Sequence, residues 1–145
     1  MTSRLLTAAL ALSMLAACES AGVRSVTGLF DSDRARMNTL EECAAFNGAV
    51  AANLTTSVNA GDEEAERAPE FRKASDILTD QAVKLRMKAE EESRPDAFGK
   101  TFANVTARTR ELAIDINDRI IREDTGVLNN PWVRDQQLDC RKKGA

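Results

Sequence analysis

Three prolines punctuate the chain, and each stands near the head of a segment whose apolar residues recur at spacings of three and four. Proline fixes φ and lacks an amide hydrogen, so it suits the first turn of a helix and is excluded from helix interiors and central strands. Pro69, Pro95 and Pro131 therefore predict three helix starts. Ahead of them, residues 33–58 carry Met37, Leu40, Cys43, Ala44, Val50, Leu54 and Val58, an amphipathic stripe with Asp31 or Ser32 available as N-cap. Residues 59–68, with Gly61 and a run of acids, read as a loop. The second helix, from Pro69 to about Glu92, presents Phe71, Ala74, Leu78, Ala82, Leu85 and Ala89. Ser93 and Asp96 form a capping box built with Asp, and open a third helix with the cleanest stripe: Phe98, Phe102, Val105, Thr109, Leu112, Ile116 and Ile120. Gly126 is expected to end it, and Asn130 with Pro131 to start a short fourth helix closing near Arg141. At 1.5 Å per residue the long helices span roughly 39, 36 and 45 Å, similar enough to lie side by side. The expectation over residues 31–145 is an all-α, antiparallel bundle of three long helices plus a short C-terminal fourth helix.

The N-terminus follows a different pattern. Arg4 precedes an apolar run from Leu5 to Leu15, about half the roughly 18 residues a spanning helix needs, and Ala16, Ala17 and Cys18 close it. A short apolar run ending in small residues describes a cleaved signal, not a transmembrane helix. Leu15, Ala16, Ala17 and Cys18 together resemble the lipobox of bacterial lipoproteins, a resemblance confined to residues 1–18. It implies cleavage between Ala17 and Cys18, a diacylglyceryl thioether on Cys18 and a fatty acyl group such as palmitate on its amine. Each buried methylene contributes about 0.8 kcal/mol, so three acyl chains make a lasting anchor. Glu19 follows Cys18 in place of the Asp that retains enteric lipoproteins in the inner membrane, which points to a periplasm-facing protein of the outer membrane. Residues 1–17 are then a signal peptide, residues 18–30 a lipidated tether containing Ser, Gly and Thr, and residues 31–145 one helical domain. The alternative is an ordinary secreted protein with a cysteine beside its cleavage point.

With Cys18 lipidated, Cys43 and Cys140 form an even pair in an oxidising compartment, and one intramolecular disulfide is expected. A redox or metal-binding pair would call for CxxC spacing or histidine partners, and the chain has neither. The 20 basic and 23 acidic residues leave a net charge of −3, which argues against nucleic acid as a partner. Arg141, Lys142 and Lys143 could touch anionic headgroups, but three charges at a chain end are ordinarily just solvated.

Catalytic chemistry finds little support. The sequence contains no His and no Tyr, which removes the commonest general base and zinc ligand, and it has no GxSxG, P-loop or GxGxxG. Glu111, Asp115 and Asp118 share one face of the third helix and could bind a divalent cation, yet Arg108, Arg119 and Arg122 lie within helical reach and favour compensating ion pairs. Glu63, Glu64 and Glu66 suit a helix start, whereas Glu90, Glu91 and Glu92 oppose the dipole of a helix end and suggest fraying or an acidic tip. Trp132 is either a partner-binding anchor or a core residue capping the bundle. Ala44, Ala45, Ala49, Ala51 and Ala52 permit close helix approach, within the bundle or between copies. Asn53 and Asn104 match glycosylation sequons that carry little meaning on bacterial helices. The functional expectation is an outer-membrane-anchored, non-catalytic binding, adaptor or structural module of the cell envelope. It needs no cofactor or metal and contacts membrane lipid through Cys18 and an envelope protein. The alternative is a carrier holding a small apolar ligand or lipid in the bundle core.

Overall fold

The computed structural model describes residues 12–56 and 62–144, and the side chains of 32–56 and 63–144. It is all-helical, with α1 (Leu12–Thr56), α2 (Asp62–Ala65), α3 (Ala68–Glu90), α4 (Arg94–Glu123) and α5 (Pro131–Lys142). No strand occurs among the described residues. The chain divides into two units, Met1–Asp33 and Arg34–Ala145. In the first, helix is already present from Leu12, so Asp31 or Ser32 is not the N-cap of α1. No proline interrupts this stretch, and the glycines within it cost only about 1 kcal/mol each against alanine. The segment read as a tether lies in that helix, while the cleavage point at Ala17 and Cys18 and the lipidation of Cys18 concern side chains outside the described residues.

Within Arg34–Ala145 the helix starts follow the prolines. Pro69 stands in the first turn of α3. Ser93 caps α4, its hydroxyl accepting from the Asp96 amide at 3.4 Å and donating to the Asp96 carboxylate at 2.5 Å. Asn130 caps α5: its side-chain oxygen accepts from the amides of Trp132 and Val133 at 3.1 and 3.3 Å. Its side-chain amide donates to Glu123 at 2.9 Å and to Thr125 at 3.1 Å, so a fully buried Asn is satisfied on both ends. The stop of α4 departs from expectation. Asp124, not Gly126, takes the left-handed position after the last turn, with φ 48° and its amide directed at the carbonyls of Ile120 and Ile121. Asp is one of the few residues that enters this region readily. Gly126 plays a different part: a Cβ there would stand 2.7 Å from a carboxylate oxygen of Glu64 and would push it from the amides of Val127 and Leu128.

Helix α1 is buried on nearly all sides from Cys43 to Leu54, with Ala44, Ala45, Ala49 and Ala51 enclosed within the domain. A helix apolar all round belongs at the centre, and small residues let its neighbours close in. A Cβ on Gly48 would lie 3.1 Å from Thr109 of α4 and 3.4 Å from Ser75 of α3. Asn53 of α1 donates to the Ala113 carbonyl of α4 at 3.0 Å. The alanine face thus serves internal packing, and the first two stripes face the core as expected at Met37, Leu40, Cys43, Val50, Leu54, Phe71, Leu78 and Ala82.

The third stripe is corrected in its first half. Val105, Leu112, Ile116 and Ile120 are buried, but Phe98 and Phe102 are 51% and 55% exposed, and Ala97 and Thr101 point inward instead. The register slips by one residue because the adjoining interior holds the guanidinium of Arg86, which needs room and a hydroxyl partner that phenylalanine cannot supply. Denaturation of three variants should record this. Leu112→Ala is expected to cost about 2–5 kcal/mol as a core truncation, whereas Phe102→Ala and Arg110→Ala should each stay near 0.5 kcal/mol, as surface changes do. A large loss at Phe102 would return it to the core.

Candidate functional site

A polar layer crosses the domain beside the misplaced stripe. Arg86 is buried on α3 and donates to Thr101 of α4 at 3.0 Å, to Glu41 of α1 at 2.7 Å and to Glu90 at 3.1 Å. Asn104 of α4 donates to the second oxygen of Glu41 at 3.2 Å. Burial works against the charge of Arg86, but the hydrogen bond and field of Glu41, joined by Glu90, outweigh it and hold the guanidinium above its usual range. Next to this layer Lys100 pairs with one oxygen of Glu92, a contact that raises the Lys100 ammonium, while the other Glu92 oxygen is buried without a hydrogen-bond partner among the described residues. Such a layer joins three helices and fixes their register.

The apolar feature lies on the outside of the same layer. The rings of Phe98 and Phe102 stack with centroids 5.7 Å apart and planes 16° from parallel. They line a groove of about 600 Å³ between α3 and α4, with Val105 and Gly48 in it and Asp76, Asp80, Arg94 and Arg110 along its edges. Two smaller grooves, of about 400 and 330 Å³, flank α5 where it meets α1. Phe46, Phe71, Ile77 and Leu78 line the first of these, and Leu112 with Trp132 the second.

The other sequence candidates find structural partners. Cys43 and Cys140 are joined in a disulfide, as expected, with Cα atoms 5.7 Å apart. Glu111 pairs with Arg108 at 2.8 Å and Asp115 with Arg119 at 3.1 Å, so two of the three acids on this face of α4 are matched by neighbouring arginines, and Asp118 is exposed. Among the described residues no cluster of His, Cys, Asp or Glu has the makings of a metal site. Glu64 accepts from the amides of Val127 and Leu128 at 2.9 and 3.2 Å, tying α2 to the connection before α5. Glu90 and Glu92 are held by Arg86 and Lys100, and Glu91 takes the left-handed position that ends α3, so this triplet is neither frayed nor an acidic tip. Trp132 packs edge-on against Phe46 at 6.3 Å under the Arg119 guanidinium, 4.5 Å from its ring centre. It is a packing residue of α5, half-buried. Asn53 is buried and bonded within the core, which closes its sequon to modification. Lys143 pairs with Asp139 at 2.5 Å, and Arg141 edges the larger groove beside α5.

Sequence reasoning missed the Arg86 layer and the exposed phenylalanine pair, which are two sides of one fact. The signal was present: Arg86 follows Ala82 by four residues on the stripe of α3, and Glu90 follows Arg86 by four. No protein-family model, no curated protein and no solved structure matches this chain.

Proposed function

We propose that this chain is a lipid-anchored, non-catalytic binding module of the bacterial cell envelope, held at the outer membrane by acylated Cys18. Its three long helices are assigned an up-down-up order, with α5 as the short fourth. Two contacts between α1 and α3 support that order, Glu41 with Arg86 at 2.7 Å and Thr55 with Arg72 at 3.3 Å, because the partner number falls as the α1 number rises. Between α1 and α4 it rises instead, from Glu41 with Asn104 at 3.2 Å to Asn53 with Ala113 at 3.0 Å.

The observation that carries the binding reading is the stacked Phe98–Phe102 pair in an open groove. Folding leaves these rings in water although smaller residues of the same helix are buried, and aromatic anchors of this kind supply most of the energy of protein interfaces. The carrier alternative draws less support, since the alanine-rich centre of α1 is closely packed by α3 and α4. Two variants test the reading in intact cells. Cys18→Ser should abolish fatty-acid labelling, and continued labelling would refute the anchor. Phe98→Ser with Phe102→Ser should remove crosslinks to envelope proteins at unchanged stability, and undiminished crosslinking would refute the binding surface.

A further inference from the structure

The groove between α3 and α4 has one acidic wall and one basic wall. Helix α3 contributes Asp76 and Asp80, and α4 contributes Arg94 and Arg110. At one end the charges are matched within the chain, Arg94 reaching Asp80 at 3.2 Å. At the other end they are not: Asp76 and Arg110 are exposed, and neither has an ionic partner among the described residues. Their heights coincide. A Cβ on Gly48 would meet both Ser75 and Thr109, so these two residues, and with them their neighbours Asp76 and Arg110, stand at one level on opposite walls.

We infer that the groove is occupied by a second copy of this chain, docked through the same face. A two-fold axis running along the groove sets α3 of one protomer over α4 of the other. Acidic wall then meets basic wall, Asp76 of each protomer faces Arg110 of the other at the same height, and the two phenylalanine pairs meet near the axis. An axis across the groove would lay Asp over Asp and Arg over Arg. A partner of one charge sign would be repelled by one wall, and a neutral amphipathic helix would leave Asp76 and Arg110 unmatched. Self-association satisfies both walls at once. The chosen axis also leaves equivalent ends of the two protomers on the same side, as two copies anchored in one membrane require. This inference rests on the lipid-anchored binding reading, and confinement to a membrane raises the effective concentration so that a modest interface suffices.

The test uses the full chain in bacterial cells, with a photo-crosslinking phenylalanine analogue at position 102 and a control at Asp135 on α5, outside the groove. Position 102 should yield a product of twice the chain mass containing only peptides of this protein, and position 135 should not. Asp76→Arg should lower that product about tenfold, because like charges then oppose each other twice per dimer, and adding Arg110→Asp should restore it. Both positions are exposed, and unchanged circular dichroism separates an interface effect from unfolding. Crosslinks from position 102 solely to a different protein would overturn the second copy and leave the binding reading standing. Absence of any protein crosslink would overturn both. A dimer product indifferent to Asp76→Arg would overturn the proposed axis.

Discussion

Arg86→Ala is expected to destabilise the domain by about 3–5 kcal/mol, the range for removing one partner of a buried ion pair. The guanidinium is the hub of the polar layer, and its side chain is only 8% exposed. Without it, Glu41 and Glu90 lose their shared cation, Thr101 loses its donor, and a volume the size of the side chain opens between α1, α3 and α4. The penalty belongs to the orphaned charges more than to a lost attraction. Replacing the pair together, Arg86→Met with Glu41→Leu, should therefore cost far less than Arg86→Ala and come within about 1–2 kcal/mol of the parent. Urea denaturation of Arg86→Met, Glu41→Leu and the double variant closes the cycle. If the double variant lost the sum of the two single losses, the residues would not be coupled and the layer would contribute nothing as a unit. The contribution of Arg86 should not fade in neutral solution. A cation held above its usual range stabilises the fold at every pH below its unfolded pKa, and that stability disappears only as pH rises through the still higher folded value. The exposed Lys84–Asp80 pair offers the contrast: Lys84→Ala should change stability by less than about 1 kcal/mol.

The helices and their caps were legible because they depend on local chemistry. Pro69, Ser93 and Asn130 act within a turn of themselves, and each does in the structure what its residue type dictates. The disulfide was legible because the lipobox resemblance set Cys18 aside and left a single pairing. What escaped was decided between helices. Phe98 and Phe102 fit a helical stripe as well as Ala97 and Thr101 do, and only the arrival of Arg86 from α3 and Glu41 from α1 selects the second pair. Gly126 reads in sequence as a helix stop, whereas in the structure it leaves room for the Glu64 carboxylate against the amides of residues 127 and 128. The carboxylate comes from a residue 63 positions before Val127 in sequence, and no local pattern announces such a partner. The candidate binding groove is a by-product of the same interhelical choice, since its aromatic pair is the pair the core did not take.

Cys43→Ser or Cys140→Ser is expected to lower stability by about 2–4 kcal/mol, against roughly 4.7 kcal/mol that the chain-entropy model assigns to a loop of about 100 residues. The bridge spans 97 positions and ties α5 to the central helix. The loss should fall unevenly. At its start α5 is held by the Asn130 cap, by buried Val133 and by Trp132 against Phe46 and Arg119. Toward its end Leu138 is half exposed, grooves open on both sides, and Cys140 is the one residue covalently bound to α1. Cutting the bridge removes the constraint where packing is thinnest, so amides in the last turns of α5 should lose exchange protection first. Those of α1 and α4 should keep theirs until global unfolding, because their burial at Val50, Leu54, Ile116 and Ile120 does not involve the bridge. Hydrogen exchange with thermal denaturation distinguishes the cases. Uniform loss across all helices would show that α5 belongs to the cooperative core, and unchanged protection in α5 would show that packing alone holds it.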